Sequence, residues 1–146
     1  MSNDLKDTIY LPNGELNSPF VLANANILLK EKELKLAASL FLLIAKQETY
    51  AFCGYYGLGQ CFTGMQKHEA AVESFRKAFQ ISKRSWIATA WIDCLMRTGD
   101  FRSAEKVALE CAIEFVNQPE VSEKFRLYYR DAAEAQLRSE KTLDEA

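Results

Sequence analysis

The side chains able to do chemistry are few and poorly placed for it. Four cysteines, Cys53, Cys61, Cys94 and Cys111, are spread along the chain, and the only histidine is His68. No two cysteines form a C-x-x-C pair, and no Cys/His spacing suits a zinc site. Thiols in apolar stretches of a chain in a reducing cytosol act as small hydrophobes. Gly57-Leu58-Gly59 has the first half of a G-x-G-x-x-G phosphate loop, but Phe62 stands at the sixth position. The segment reads as helix and follows no strand, so the strand, tight turn and helix N-terminus of a dinucleotide site are missing. There is no P-loop, nucleophile elbow or zinc signature. The expectation is a chain without catalysis, metal or cofactor, with His68 an exposed helix-start residue and Cys61 part of the core.

Binding is the remaining prospect, so the elements that would carry a surface matter most. At 146 residues the chain is one domain's worth and should bury roughly 68–70% of its unfolded surface without staples. A hydrophobic fraction of 49% excludes a disordered protein. The net charge of −2 argues against nucleic acid as a partner, because that binding leans on a basic face. No apolar run reaches ~18 residues, so membrane insertion is not expected. The first 14 residues lack the basic start and apolar core of a secretory signal. The expected location is cytoplasmic.

The stretch from Tyr55 to Ala78 reads as two helices folded back on each other. The first carries Tyr55, Leu58, Gly59 and Phe62, and the second Ala71, Phe75 and Ala78. Residues three and four apart share a helix face, so large side chains on one helix meet small ones on the other. The same spacing recurs on either side. Ala37-x₃-Phe41 precedes it and Ala104-x₃-Ala108 follows, at steps of 34 and then 33 residues. Ser18-Pro19 suits a helix start, with Ser18 as N-cap. Gly99-Asp100 suits a turn from one helix to the next. Pro119 ends the third pair, and 120–138 reads as one long amphipathic helix.

These spacings resemble the tetratricopeptide repeat, W-x₂-L-G-x₂-Y…A-x₃-F in a helix–turn–helix unit of ~34 residues. The expected fold is all-α: three such helix pairs stacked as a short superhelix, with units at about 18–47, 48–84 and 85–117 and a capping helix at 120–138. Residues 1–17 are expected to be a flexible arm, broken by a turn at Pro12-Asn13-Gly14. Its Leu5, Ile9, Tyr10 and Leu11 could pair two copies as a homodimer. Residues 139–146 are expected to be a fraying polar tail.

In stacked helix pairs the first helices line the concave side. That geometry selects Leu22, Asn26 and Leu29 from the first unit and Cys53, Tyr56 and Gln60 from the second. From the third it selects Trp86, Thr89, Asp93 and Met96. Such a mostly apolar trough suits an extended peptide or an amphipathic helix. Tyr56 and Trp86 either anchor a partner there or pack against the N-terminal segment or the last helix. Gly54 and Gly57 have no repeat role, and each costs ~1 kcal/mol relative to alanine within a helix. Close approach of a neighbouring helix, a second subunit or a ligand would explain them. On the ligand reading, Gly57→Ala should raise stability and weaken binding.

Three segments resemble the class II chaperones of bacterial type III secretion: Ala37–Phe41, Tyr56-Gly57-Leu58-Gly59-Gln60-Cys61, and Ala90–Leu95 with Gly99 and Ala104. The likeness runs from about Leu34 to Glu114. The link Ala45–Tyr50 and the segment Ile81–Arg84 depart from that family's pattern. The resemblance implies a cytoplasmic chaperone that keeps a hydrophobic export substrate, a translocator subunit, soluble in its groove. A chaperone of the needle subunit, or a repeat adaptor unrelated to secretion, remains open.

Overall fold

The computed structural model describes residues 9–145. The described chain is all-α, as the periodicity predicts, with seven helices. They fall into two compact units, residues 1–82 and 83–146.

In the first unit α1 (Ser18–Lys30), α2 (Leu34–Ala45), α3 (Ala51–Gly64) and α4 (His68–Ile81) follow one another. Each packs against the next, and α1 also touches α3. The core is a run of interlocking large and small residues. Val21, Ala25, Ala37, Phe41, Ile44, Leu58 and Cys61 are all buried together. The Phe41 ring of α2 enters α3 at Gly57, the α2 backbone at Phe41 and Ala45 lies against Gly54, and Phe75 of α4 enters α3 at Gly59. A Cβ at Gly59 would lie 2.5 Å from Phe75 Cε1. Two of these glycines are therefore needed by phenylalanine rings from the helices on either side, and the third by the close approach of the α2 backbone. Gly54 and Gly57, expected to await another backbone or a ligand, are occupied by the chain's own α2.

The second unit holds α5 (Ser85–Thr98), α6 (Phe101–Glu114) and α7 (Pro119–Glu145). α6 packs against α5 and along α7, which also meets α5. Phe115 and Phe125 stack with centroids 5.7 Å apart. The buried Ser122 hydroxyl donates to the Ala112 carbonyl at 2.8 Å, which ties the start of α7 to the end of α6. Pro119 is the first residue of α7, a position where its missing N–H has no helical partner to lose.

One turn occurs three times. Lys32, Gln66 and Gly99 each have a left-handed φ, +64°, +60° and +79°. At each, the same two hydrogen bonds close the end of the preceding helix. Glu33 N–H donates to Leu28 O, Lys67 N–H to Phe62 O and Asp100 N–H to Leu95 O, with Lys32 to Leu29, Gln66 to Thr63 and Gly99 to Met96 alongside. This is the Schellman closure of a helix C-terminus. The positions step by 34 and 33 residues, in phase with Ala37, Ala71 and Ala104, which are all fully buried. Only the third turn uses the residues best suited to it. Gly99 carries the positive φ without a Cβ, and the Asp100 side chain accepts from Ser103 N–H.

Three expectations at the edges are corrected. The described part of the arm, residues 9–17, is structured, while residues 1–8, with the expected contact residue Leu5, lie outside the described residues. Tyr10 and Leu16 form an antiparallel bridge around the turn at Gly14 (φ +87°), and Asn17 N–H donates to Ile9 O at 2.6 Å. Leu16 belongs to the core and Ile9 packs on it, because an apolar residue beside a helix start is more stable covered than wet. Ser18 is the first helical residue, with Asn17 in the cap position and no side-chain cap bond. The polar tail expected at 139–146 is helical to Glu145. No Gly or Pro interrupts it. Gln136 donates to Glu140, Thr142 to the Arg138 carbonyl, and Arg102 of α6 reaches Glu140 at 3.5 Å.

Candidate functional site

No group of three or more His, Cys, Asp or Glu among the described residues could hold a metal. His68 is half-buried at the start of α4, not exposed. Burial pushes the Cys61 thiol up to about 11. It pushes Cys111 up to about 12, with Glu110 and Glu114 adding to the rise. Such thiols hold too little thiolate at neutral pH to act as nucleophiles.

In the first unit the expected binding residues divide by helix face. Val21 and Ala25 form the buried stripe of α1. Leu22 and Leu29 flank it, half-buried and packed on the core, while Asn26 is exposed. The two leucines are thus partly committed to the fold. On α3, Cys53, Tyr56 and Gln60 share one side and are half-buried. At ~100° per residue they lie about 160° around the helix from Tyr55, Leu58 and Phe62. Tyr56 packs its ring on Phe75, with centroids 5.6 Å apart and planes tilted 55°. Burial raises its phenol pKa. The tyrosine is therefore held in place by α4 and keeps one edge open.

In the second unit Trp86, Thr89, Asp93 and Met96 lie along one side of α5. Trp86 is 44% exposed, whereas Thr89 turns its hydroxyl back to the Ser85 carbonyl. Asp93 is exposed but faces α7. Burial pushes its carboxyl above the ordinary value, and Arg97 and Lys124 pull it back down. Burial also raises Tyr128, and Asp93 and Asp131 raise it further. The polar point expected at Asp93 is shared with the chain's own last helix, and Trp86 is the exposed apolar residue of the four.

Other surfaces were not anticipated. Between α2 and α4 lies a groove of about 370 Å³, floored by Tyr55, Leu58 and Phe62 and rimmed by Leu42, Glu73 and Lys77. A larger, more polar hollow of about 530 Å³ separates the Ile9–Asn17 turn from the α2–α3 link. On α1, Phe20 and Ile27 are exposed, and so are Leu109 and Ile113 of α6 and Val116 in the turn after it. The α6 ridge was legible as apolar residues at i, i+4 and i+7, a spacing that in this case points outward. No family model, no curated protein and no solved structure matches the chain.

Proposed function

We propose that this chain is a protein-binding chaperone of the tetratricopeptide type, acting by holding a hydrophobic segment of an export substrate and not by catalysis. The observation that carries the binding part is Tyr56. Its ring is fixed on Phe75 yet only half-buried. A rigid aromatic held in place from behind loses little entropy on binding, which is what a hot spot requires. The thrice-used helix turn at Lys32, Gln66 and Gly99 supports the repeat reading. The choice of a type III secretion translocator as client rests on the resemblance of Ala37–Phe41 and Tyr56–Cys61, and the cytoplasm is where such a client would be held.

Holding an apolar client segment lowers the free concentration available for self-association, by mass action. Co-expression with a translocator subunit tests the proposal. The expected result is a client that stays soluble and co-purifies with the chain. Tyr56→Ser combined with Trp86→Ser, in a variant with unchanged helical content, should lose the client. A client that remains insoluble with the wild-type chain refutes the chaperone reading. Retention by the folded double variant refutes the site.

A further inference from the structure

Two features lie outside the surface assigned to the client, and they complement each other. The first is the groove between α2 and α4, on the side of α3 away from Tyr56. Its floor is aromatic and aliphatic, and Leu42 on its rim is 48% exposed. Its border is basic. Lys35, Ser39, Leu42 and Lys46 follow one another along the outer side of α2 at helical spacing, and Lys77 sits over the Tyr55 ring at 5.6 Å. Glu73, the one acid lining the groove, is already held by Arg76 through two hydrogen bonds. No ion pair among the described residues engages Lys35, Lys46 or Lys77.

The second feature is the ridge on α6. Leu109, Ile113 and Val116 are 45%, 66% and 64% exposed. Three neighbouring apolar residues left this open, two on the last turns of α6 and Val116 just beyond its end, are unusual for a solvated face. Beside them stand Glu110 and Glu114, both exposed and without an ion pair among the described residues. One surface is an apolar groove bordered by Lys35, Lys46 and Lys77, and the other is an apolar ridge flanked by Glu110 and Glu114.

We infer that the α6 ridge of one copy docks into the α2–α4 groove of a second copy. The two patches differ, so the contact is heterologous: each copy offers a ridge to one neighbour and a groove to another. Ile113 enters over Tyr55 and Phe62, while Glu110 and Glu114 meet the lysine rim. A ridge of about two turns in a shallow groove buries less than the ~1,600 Å² of a standard interface, so association is weak. It leaves the Tyr56 side free and does not depend on the client reading.

Sedimentation equilibrium of the full chain from about 10 to 500 µM covers the affinity range expected of such a contact. The average mass should rise with concentration. Leu42→Glu blocks the groove and Ile113→Lys blocks the ridge. Both positions are exposed, so each variant should keep its fold and sediment as a monomer. An equimolar mixture of the two keeps one intact groove and one intact ridge. It should form a 1:1 complex of twice the monomer mass and go no further. Lys77→Glu should weaken wild-type association at least tenfold. A wild-type chain that stays monomeric throughout overturns the proposal, as would an acidic partner found to be its only occupant. Variants that associate like wild type, or a mixture that stays monomeric, overturn it as well.

Discussion

Gly57→Ala decides how the glycines of α3 should be understood. Helix propensity alone favours the substitution by up to ~1 kcal/mol. The structure opposes it. The added Cβ would overlap Cδ1 and Cε1 of Phe41 and lie 2.5 Å from its Cγ. Phe41 is 1% exposed and sits in the middle of the first unit's core, so its ring cannot swing into open space. Overpacking of this kind costs about 1–3 kcal/mol. Three overlaps with a buried ring put the cost at the upper end of that range, so after the propensity gain the net expectation is a loss of about 2 kcal/mol. Gly54→Ala should be worse. Its Cβ would overlap the Ala45 nitrogen and lie 2.6 Å from Ala45 Cα and 2.8 Å from the Phe41 carbonyl oxygen. Backbone in a packed helix can yield only by moving the helix, which places the loss at about 3 kcal/mol. Urea unfolding followed by far-UV circular dichroism measures both changes. Indole fluorescence serves as the control, because Trp86 and Trp91 both lie in the second unit. Phe41→Leu should partly rescue Gly57→Ala, with a favourable coupling of at least about 0.5 kcal/mol in a double-mutant cycle. A Gly57→Ala variant as stable as wild type, or a cycle without coupling, would refute the interlock and restore the idea that α3 keeps its glycines for a ligand.

Transplanting the third turn into the second, as Gln66→Gly with Lys67→Asp, should stabilise the chain. Relief of the positive φ and a new side-chain cap together are worth about 1–2 kcal/mol. Gly99→Ala should cost about 1 kcal/mol by the same reasoning, and thermal melts check both signs. The Asp93 carboxyl has its folded pKa raised above the ordinary 3.8 by burial. Its contribution is therefore most favourable below that value and is lost as pH rises through the folded pKa. Asp93→Asn should be more stable than wild type at pH 7 and equal to it near pH 3, by urea titration at each pH. In the folded chain at pH 8 a maleimide should label Cys53, which is half-buried, well before Cys61 and Cys111, whose thiols lie near 11 and 12. All four thiols should react equally in denaturant, and fast labelling of Cys111 in the native state would contradict its burial.

The all-α architecture and the phase of the buried alanines were legible because they are local. Ala37, Ala71 and Ala104 share a periodicity that any helical wheel exposes, and Pro19, Gly99 and Pro119 mark ends through their own backbone restrictions. The turns at Lys32 and Gln66 were not legible as left-handed, because neither residue favours that conformation. Their hydrogen bonds and the packing of the flanking helices hold them there. The partners of Gly54 and Gly57 were equally hidden. A missing side chain says that something comes close, but only packing identifies it as Phe41 and Ala45.

The sequence by itself determined the helical class and the apolar face of each helix, since both follow from spacing and propensity along the chain, though not that the last helix runs on to Glu145. It located Tyr56 and Trp86 but could not tell how far each is covered, because coverage depends on residues distant in sequence: Phe75 beneath Tyr56, and α7 beside the Asp93 side of α5. The tertiary structure alone decided that Leu16 and Ile9 join the core while Leu109, Ile113 and Val116 stay out of it. The physical reason is that apolar periodicity marks a face to be buried without naming what buries it. For Val21 and Ala25 a neighbouring helix is present, and for Leu109, Ile113 and Val116 none among the described residues covers them.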